Sequence, residues 1–150
     1  MISIPKKFFA KEIKIGNVYL LIKHKLTNTR EPHYHIVMGK SDNELVLFSC
    51  CTKKLETILK HIKHADLPPS TVVEIRPDNN NKLPKNTYIN CNNLIPYTID
   101  ELYDLSEKGH LKYHSNIPDE KIKEIMTGIN DSPNVVGEFK DIINGNGIDQ

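Results

Sequence analysis

Thr52, Lys53 and Lys54 set a hydroxyl and two cations side by side where an apolar run stops. A strand that ends on such residues presents them together, as donors to an anion. A second group is the polar stretch from Lys23 to Glu31, rich in hydrogen-bond donors; a connection of that kind is where ligand contacts concentrate. Four histidines form two pairs. His33 and His35 share one face of an alternating run, and His61 and His64 are three apart in a helical pattern, so four imidazoles can be imagined around zinc. No cysteine or carboxylate spacing supports that metal reading, and solvent-facing histidines account for the same pattern. Cys50 or Cys51 would make a thiol nucleophile only with His33 or His35 as a base across a hairpin; a small core residue is the plainer reading. Lys53, Lys54, Lys60 and Lys63 fit either a phosphate-backbone contact through charge or a solvated helix face.

These groups need elements to hold them. His33 to Met38 alternates, with His33, His35 and Val37 on one face and Tyr34, Ile36 and Met38 on the other, as a strand requires. Gly39 to Asn43 supplies turn residues, and Glu44 to Cys51 returns as the second strand of a central hairpin. Upstream, residues 1–11 read as an arm that Phe8 and Phe9 pin to the body. Glu12 to Ile15 alternates as a strand, Gly16-Asn17 permits a kink, and Val18 to Ile22 continues the strand. Downstream, Leu55, Ile58, Leu59 and Ile62 predict a helix over 53–64. Strands follow at 70–75 and 87–91, so the main strands would occupy 12–92. Thr98 and Glu101 have the spacing of a capping box, and Lys108-Gly109 ends that helix. Leu111 to His114 predicts an edge strand, Pro118 opens a helix striped by Ile122, Ile125, Met126 and Ile129, and a last helix covers 135–143. Residues 144–150 read as a flexible tail.

At 150 residues the chain suits one domain with a core. Its formal charge of +1 hides a basic first half, which allows a local basic surface without a basic protein. The three cysteines show no paired spacing, which favours a reducing compartment. No apolar run approaches the roughly 20 residues of a membrane span, and the start lacks signal-peptide architecture. A soluble, cytoplasmic protein without a membrane partner is expected.

The order of these pieces resembles the MazF/PemK family of toxins. Ile15-Gly16-Asn17-Val18 is similar to that family's opening strand, Pro32 to its entry into the second strand, and Cys50-Cys51-Thr52-Lys53 to the Thr-bearing end of the third. Leu83 to Ile89 resembles the approach to the final strand, and Gly109-His110-Leu111 the turn before the closing helix. The resemblance implies an α+β, mainly β fold: a small SH3-like barrel of five to six antiparallel strands with short C-terminal helices. It implies a toxin of a toxin–antitoxin pair, acting as a metal-independent endoribonuclease on single-stranded RNA, with no cofactor, a cognate antitoxin as partner, and a homodimer. Glu31 stands where the family carries an Arg, and Arg30 precedes it. On this reading Arg30 stabilises the phosphate charge, Thr52 positions the phosphate, and His33 or His24 moves protons. Lys23, His24, Lys25, Lys53 and Lys54 would contact the RNA. The alternative is a non-catalytic barrel of the same kind, binding nucleic acid or a protein partner.

Overall fold

The computed structural model describes residues 4–27, 29–42 and 44–145. In chain order it contains α1 (Lys6–Glu12), β1 (Asn17–Leu21), β2 (His33–Lys40), β3 (Leu45–Thr52), α2 (Leu55–His64), β4 (Val72–Ile75), β5 (Thr87–Thr98), α3 (Ile99–Glu107), β6 (Leu111–Asn116), α4 (Asp119–Asp131) and α5 (Gly137–Asn144). Asn28 in the loop, Asn43 in the turn, residues 1–3 of the arm and residues 146–150 of the expected tail lie outside the described residues. Every strand pair is antiparallel, and the sheet order is β4-β5-β3-β2-β1-β6. The fold is α+β.

The sheet stays open, with β4 and β6 at its two ends, and this corrects the expectation of a closed barrel. What covers the sheet explains it. One face carries Val18, Ile36, Met38, Leu47 and Cys51, buried with Ile122, Ile125, Met126 and Ile129 of α4 and Ile143 of α5. The opposite face carries Tyr19, Val37, Val46, Phe48 and Tyr97, buried with Phe9 of α1 and Leu102 of α3. Each such side chain contributes about 1.5–3 kcal/mol on burial, and here helices supply the second surface that a closed barrel takes from its own strands. Among the described residues no helix is long and apolar enough to cross a membrane.

The opening strand is also corrected. It begins at Asn17, and Lys6–Glu12 is helical. Phe9 of the helix and Ile13, extended just past its end, are both buried in one cluster, so the arm docks through a helical turn and residues 13–15 connect it to β1 without pairing as a strand. Gly16 then turns the chain at φ +91°, a conformation glycine adopts without steric cost. The central hairpin forms as expected, with His35 opposite Cys50. The strand at 70–75 is shorter, preceded by a single 3₁₀ turn over Pro69–Thr71. The strand at 87–91 instead runs on to Thr98. Ile89 pairs with Cys51 and Leu94 with Ser49, so residues 90–93 face Cys50 alone and form a bulge.

At Gly128, α4 lies close against the 3₁₀ turn and β5. A Cβ there would stand 2.6 Å from the Ser70 carbonyl oxygen and 2.7 Å from Cys91 Sγ. Alanine gains about 1 kcal/mol over glycine inside a helix, but the backbone oxygen cannot give way without moving the 3₁₀ turn, and overpacking costs about 1–3 kcal/mol or more. Gly128→Ala is expected to lower stability by up to about 2 kcal/mol net and the melting temperature by up to several degrees. A thermal melt with an unchanged or raised midpoint would contradict this packing.

Candidate active site

A cleft of about 590 Å³ lies between the β1–β2 loop and α2, floored by the sheet. Its floor is His33, Cys50, Thr52, Asn90 and Ile95; Lys25, Thr29 and Glu31 come from the loop, and Lys54, Thr57, Ile58 and His61 from the start of α2 and its first turns. α2 is held there because Ile58 and Ile62 are buried with Leu67 against Val72 and Tyr88. Its opposite side carries Lys60, Lys63 and His64, all exposed.

The loop wall is fastened from behind. The Lys25 N–H donates to the Tyr97 hydroxyl at 2.9 Å, and Lys25 Nζ donates to the Pro96 carbonyl at 2.8 Å and to Glu101 Oε1 at 2.9 Å. The same ammonium lies 4.4 Å from the centre of the Tyr97 ring. Glu101 also accepts from the Thr98 N–H as part of the α3 capping box. Partial burial alone would raise the Glu101 carboxyl, but the bonds from Thr98 and Lys25 hold it below its ordinary value.

Three imidazoles meet at the loop end of the floor, and backbone groups assign their tautomers. His24 Nδ1 accepts from the Leu26 N–H at 3.3 Å, so its Nε2–H donates to the Glu31 carbonyl at 2.6 Å. Both nitrogens are engaged. His33 Nδ1–H donates to that same carbonyl at 2.8 Å, which leaves His33 Nε2 as a lone-pair acceptor. His35 Nδ1–H donates to the His33 carbonyl at 2.9 Å. His35 is fully buried, and its Nε2 finds no partner among the described residues. The His24 ring centre lies 5.5 Å from that of His33 and 6.0 Å from that of His35. Burial pushes His35 down to about 4. His33 and His35 each keep an unengaged Nε2, but that of His35 is buried, so His33 is the member of this trio that offers an acceptor to the cleft.

The hydroxyls are polarised the same way. Thr52 Oγ1 accepts from the Lys54 N–H at 3.1 Å, and Thr29 Oγ1 from the Glu31 N–H at 3.2 Å, so each keeps its hydrogen to donate. The carboxylate of Glu31, itself exposed, is the acidic group in the lining. Cys50 is disqualified as a nucleophile. Burial pushes its thiol up to about 12, its Sγ donates to the Cys51 carbonyl at 3.5 Å, and the thiolate that attacks is therefore scarce.

Of the residues expected at the site, His33, Thr52, Lys25 and Lys54 line the cleft. His24 supports His33 from the loop, while Arg30, Lys23 and Lys53 are exposed outside the lining. The zinc arrangement does not assemble: among the described residues no group of three or more His, Cys, Asp or Glu is placed to hold a metal ion. His61 shares the cleft with His33, His35 lies in the core, and His64 is exposed at the end of α2 outside the cleft lining. Sequence reasoning weighed His61 only as a metal ligand and missed Asn90. The run Asn90-Cys91-Asn92-Asn93 breaks strand alternation, and that break is the available signal for a bulge. No protein-family model matches the chain, and a comparison with curated proteins finds no match.

Proposed function

We propose that the chain is a metal-independent endoribonuclease acting on single-stranded RNA, the toxin of a toxin–antitoxin pair, on an opened relative of the MazF/PemK-like, SH3-like barrel. The observation that carries the reading is a cleft of donors and cations around one free imidazole acceptor, His33 Nε2. An anionic diester suits such a lining, because the hydroxyl and ammonium donors that outnumber its one carboxylate, Glu31, reward phosphate oxygens. The chemistry follows from the placement. His33 Nε2 takes the proton of a ribose 2′-hydroxyl, the 2′-oxygen bonds to the adjacent phosphorus, and the bond from phosphorus to the 5′-oxygen breaks. His61, from the opposite wall, gives a ring N–H proton to that leaving oxygen. Thr52 and Lys54 donate to the non-bridging oxygens as charge builds. The products are a 2′,3′-cyclic phosphate and a 5′-hydroxyl. The exposed cations of α2 extend the path for the flanking strand. On this reading the chain is a cytoplasmic homodimer, and its antitoxin covers the cleft.

One observation favours a second reading, the non-catalytic binding module. Arg30, the expected charge stabiliser, lies outside the cleft, and Lys25 is already bonded to Pro96 and Glu101. One experiment separates the two: labelled single-stranded RNA, and DNA of the same sequence, incubated with the protein in excess chelator. The enzyme reading expects RNA fragments ending in cyclic phosphate and DNA that is bound but uncut, since DNA lacks the attacking hydroxyl. Binding of both without cleavage would make the chain a binding module, and cleavage lost to the chelator would overturn the metal-independent mechanism. Induced expression in a bacterial host should arrest growth if the toxin assignment holds.

A further inference from the structure

Asn90 sits on the cleft floor in the β5 bulge, and a chain of hydrogen bonds fixes which end of its amide faces the ligand. The Asn92 N–H donates to Asn90 Oδ1 at 3.1 Å. A backbone N–H only donates, so the atom it meets is the oxygen. Asn92 Nδ2 donates to that same oxygen at 2.9 Å, which turns Asn92 Oδ1 toward α4, where it accepts from Ser132 Oγ at 2.6 Å. Ser132 Oγ in turn accepts from the Asn134 N–H at 3.1 Å, so its hydrogen is committed to Asn92. Ser132 is fully buried and Asn92 nearly so. Two backbone N–H groups thus set the polarity of the whole chain, and Asn90 is left with Nδ2 alone, a pure donor, to present to the cleft.

We infer that Asn90 Nδ2 holds a non-bridging oxygen of the bound phosphodiester, and that Ser132, through Asn92, is the positioning residue that orients it. This rests on the phosphodiester reading of the cleft and adds to it a contact on the floor beside Thr52, supplied from the far face of the sheet. A bulge that leaves 90–93 opposite Cys50 alone is what lets Asn90 reach the cleft while Asn92 reaches α4.

The test measures affinity for a short 2′-O-methyl oligoribonucleotide, which cannot be cut. Asn90→Asp keeps the oxygen that Asn92 bonds and replaces the donor with an acceptor. It should therefore fold, as circular dichroism and a thermal melt would show, yet bind about 10- to 100-fold more weakly, the span for a lost hydrogen bond to a charged group. Asn90→Ala should lose about tenfold, and that penalty should vanish when a neutral methylphosphonate replaces one particular linkage. Ser132→Ala should cost about threefold in the wild-type background and nothing further in Asn90→Ala, as coupling through Asn90 demands. A folded Asn90→Asp that binds like wild type overturns the inference alone. So does an Asn90→Ala penalty that survives neutralisation of each linkage in turn, because the contact would then be to a base. If the wild-type protein fails to bind the oligonucleotide, the phosphodiester reading falls and the inference with it.

Discussion

His33→Ala is expected to reduce RNA cleavage by about 10²–10⁴-fold, the range for losing a positioned general acid or base, while leaving affinity for an uncleavable oligonucleotide within a few-fold of wild type. The split between rate and affinity follows from the geometry. His33 donates to the Glu31 carbonyl through Nδ1 and so offers its lone pair, whereas on the proposed reading phosphate binding falls to Thr52, Lys54 and Asn90. His24 donates to the same carbonyl but has no nitrogen to spare, so it cannot take over as base. Arg30→Ala, at an exposed position outside the cleft, serves as the comparison and should leave cleavage nearly unchanged. Single-turnover cleavage of labelled RNA reads both variants. A His33→Ala protein that cuts at the wild-type rate would remove the imidazole from the mechanism, and a collapse with Arg30→Ala would return the arginine to it.

The buried His35 gives the largest stability effect. Its folded-state pKa, pushed down to about 4 by burial, lies below the ordinary 6.5 of an unfolded histidine. The unfolded chain therefore binds a proton first as pH falls. Above about 6.5 the ring is neutral in both states, so protonation takes nothing from stability and the contribution is fully present. Between 6.5 and 4 it is lost, to a total of about 3 kcal/mol, and below 4 it levels off. His35→Phe keeps an aromatic ring against Phe48, whose ring lies edge-on to it at 5.7 Å, and it has nothing to titrate. Denaturant unfolding from pH 7 to pH 4 should show wild-type stability falling by that amount beyond the loss seen in His35→Phe. Parallel pH dependence in the two proteins would mean that His35 is hydrated or already protonated in the folded state.

Local rules carried much of the architecture. The central hairpin, the capping box of α3 and the isoleucine stripe of α4 were legible because each depends on residues a few positions apart. The open sheet was not. Closing or not closing depends on whether α4 and α5 cover one face while α1 and α3 cover the other, a long-range outcome that no local spacing encodes. Within the site, Thr52 and His33 could be placed from strand alternation, since residues on one face of a strand stay on that face. Arg30 could not, because a loop residue's direction is set by the fastening of Lys25 to Tyr97, Pro96 and Glu101, partners about seventy residues away. Asn90 was hidden by the bulge, where the register changes and alternation stops being informative.

β5 runs as one strand of 12 residues, from beneath α2 at Tyr88 to the cap of α3 at Thr98. Both walls of the cleft are therefore mounted on one strand, with the bulge at 90–93 between the two mounting points. The entropy of assembling the site is met when the chain folds, so little remains to be lost when a ligand arrives. On the phosphodiester reading such a site would select by fit: a single strand would enter as it is, while a duplex would have to be opened beforehand.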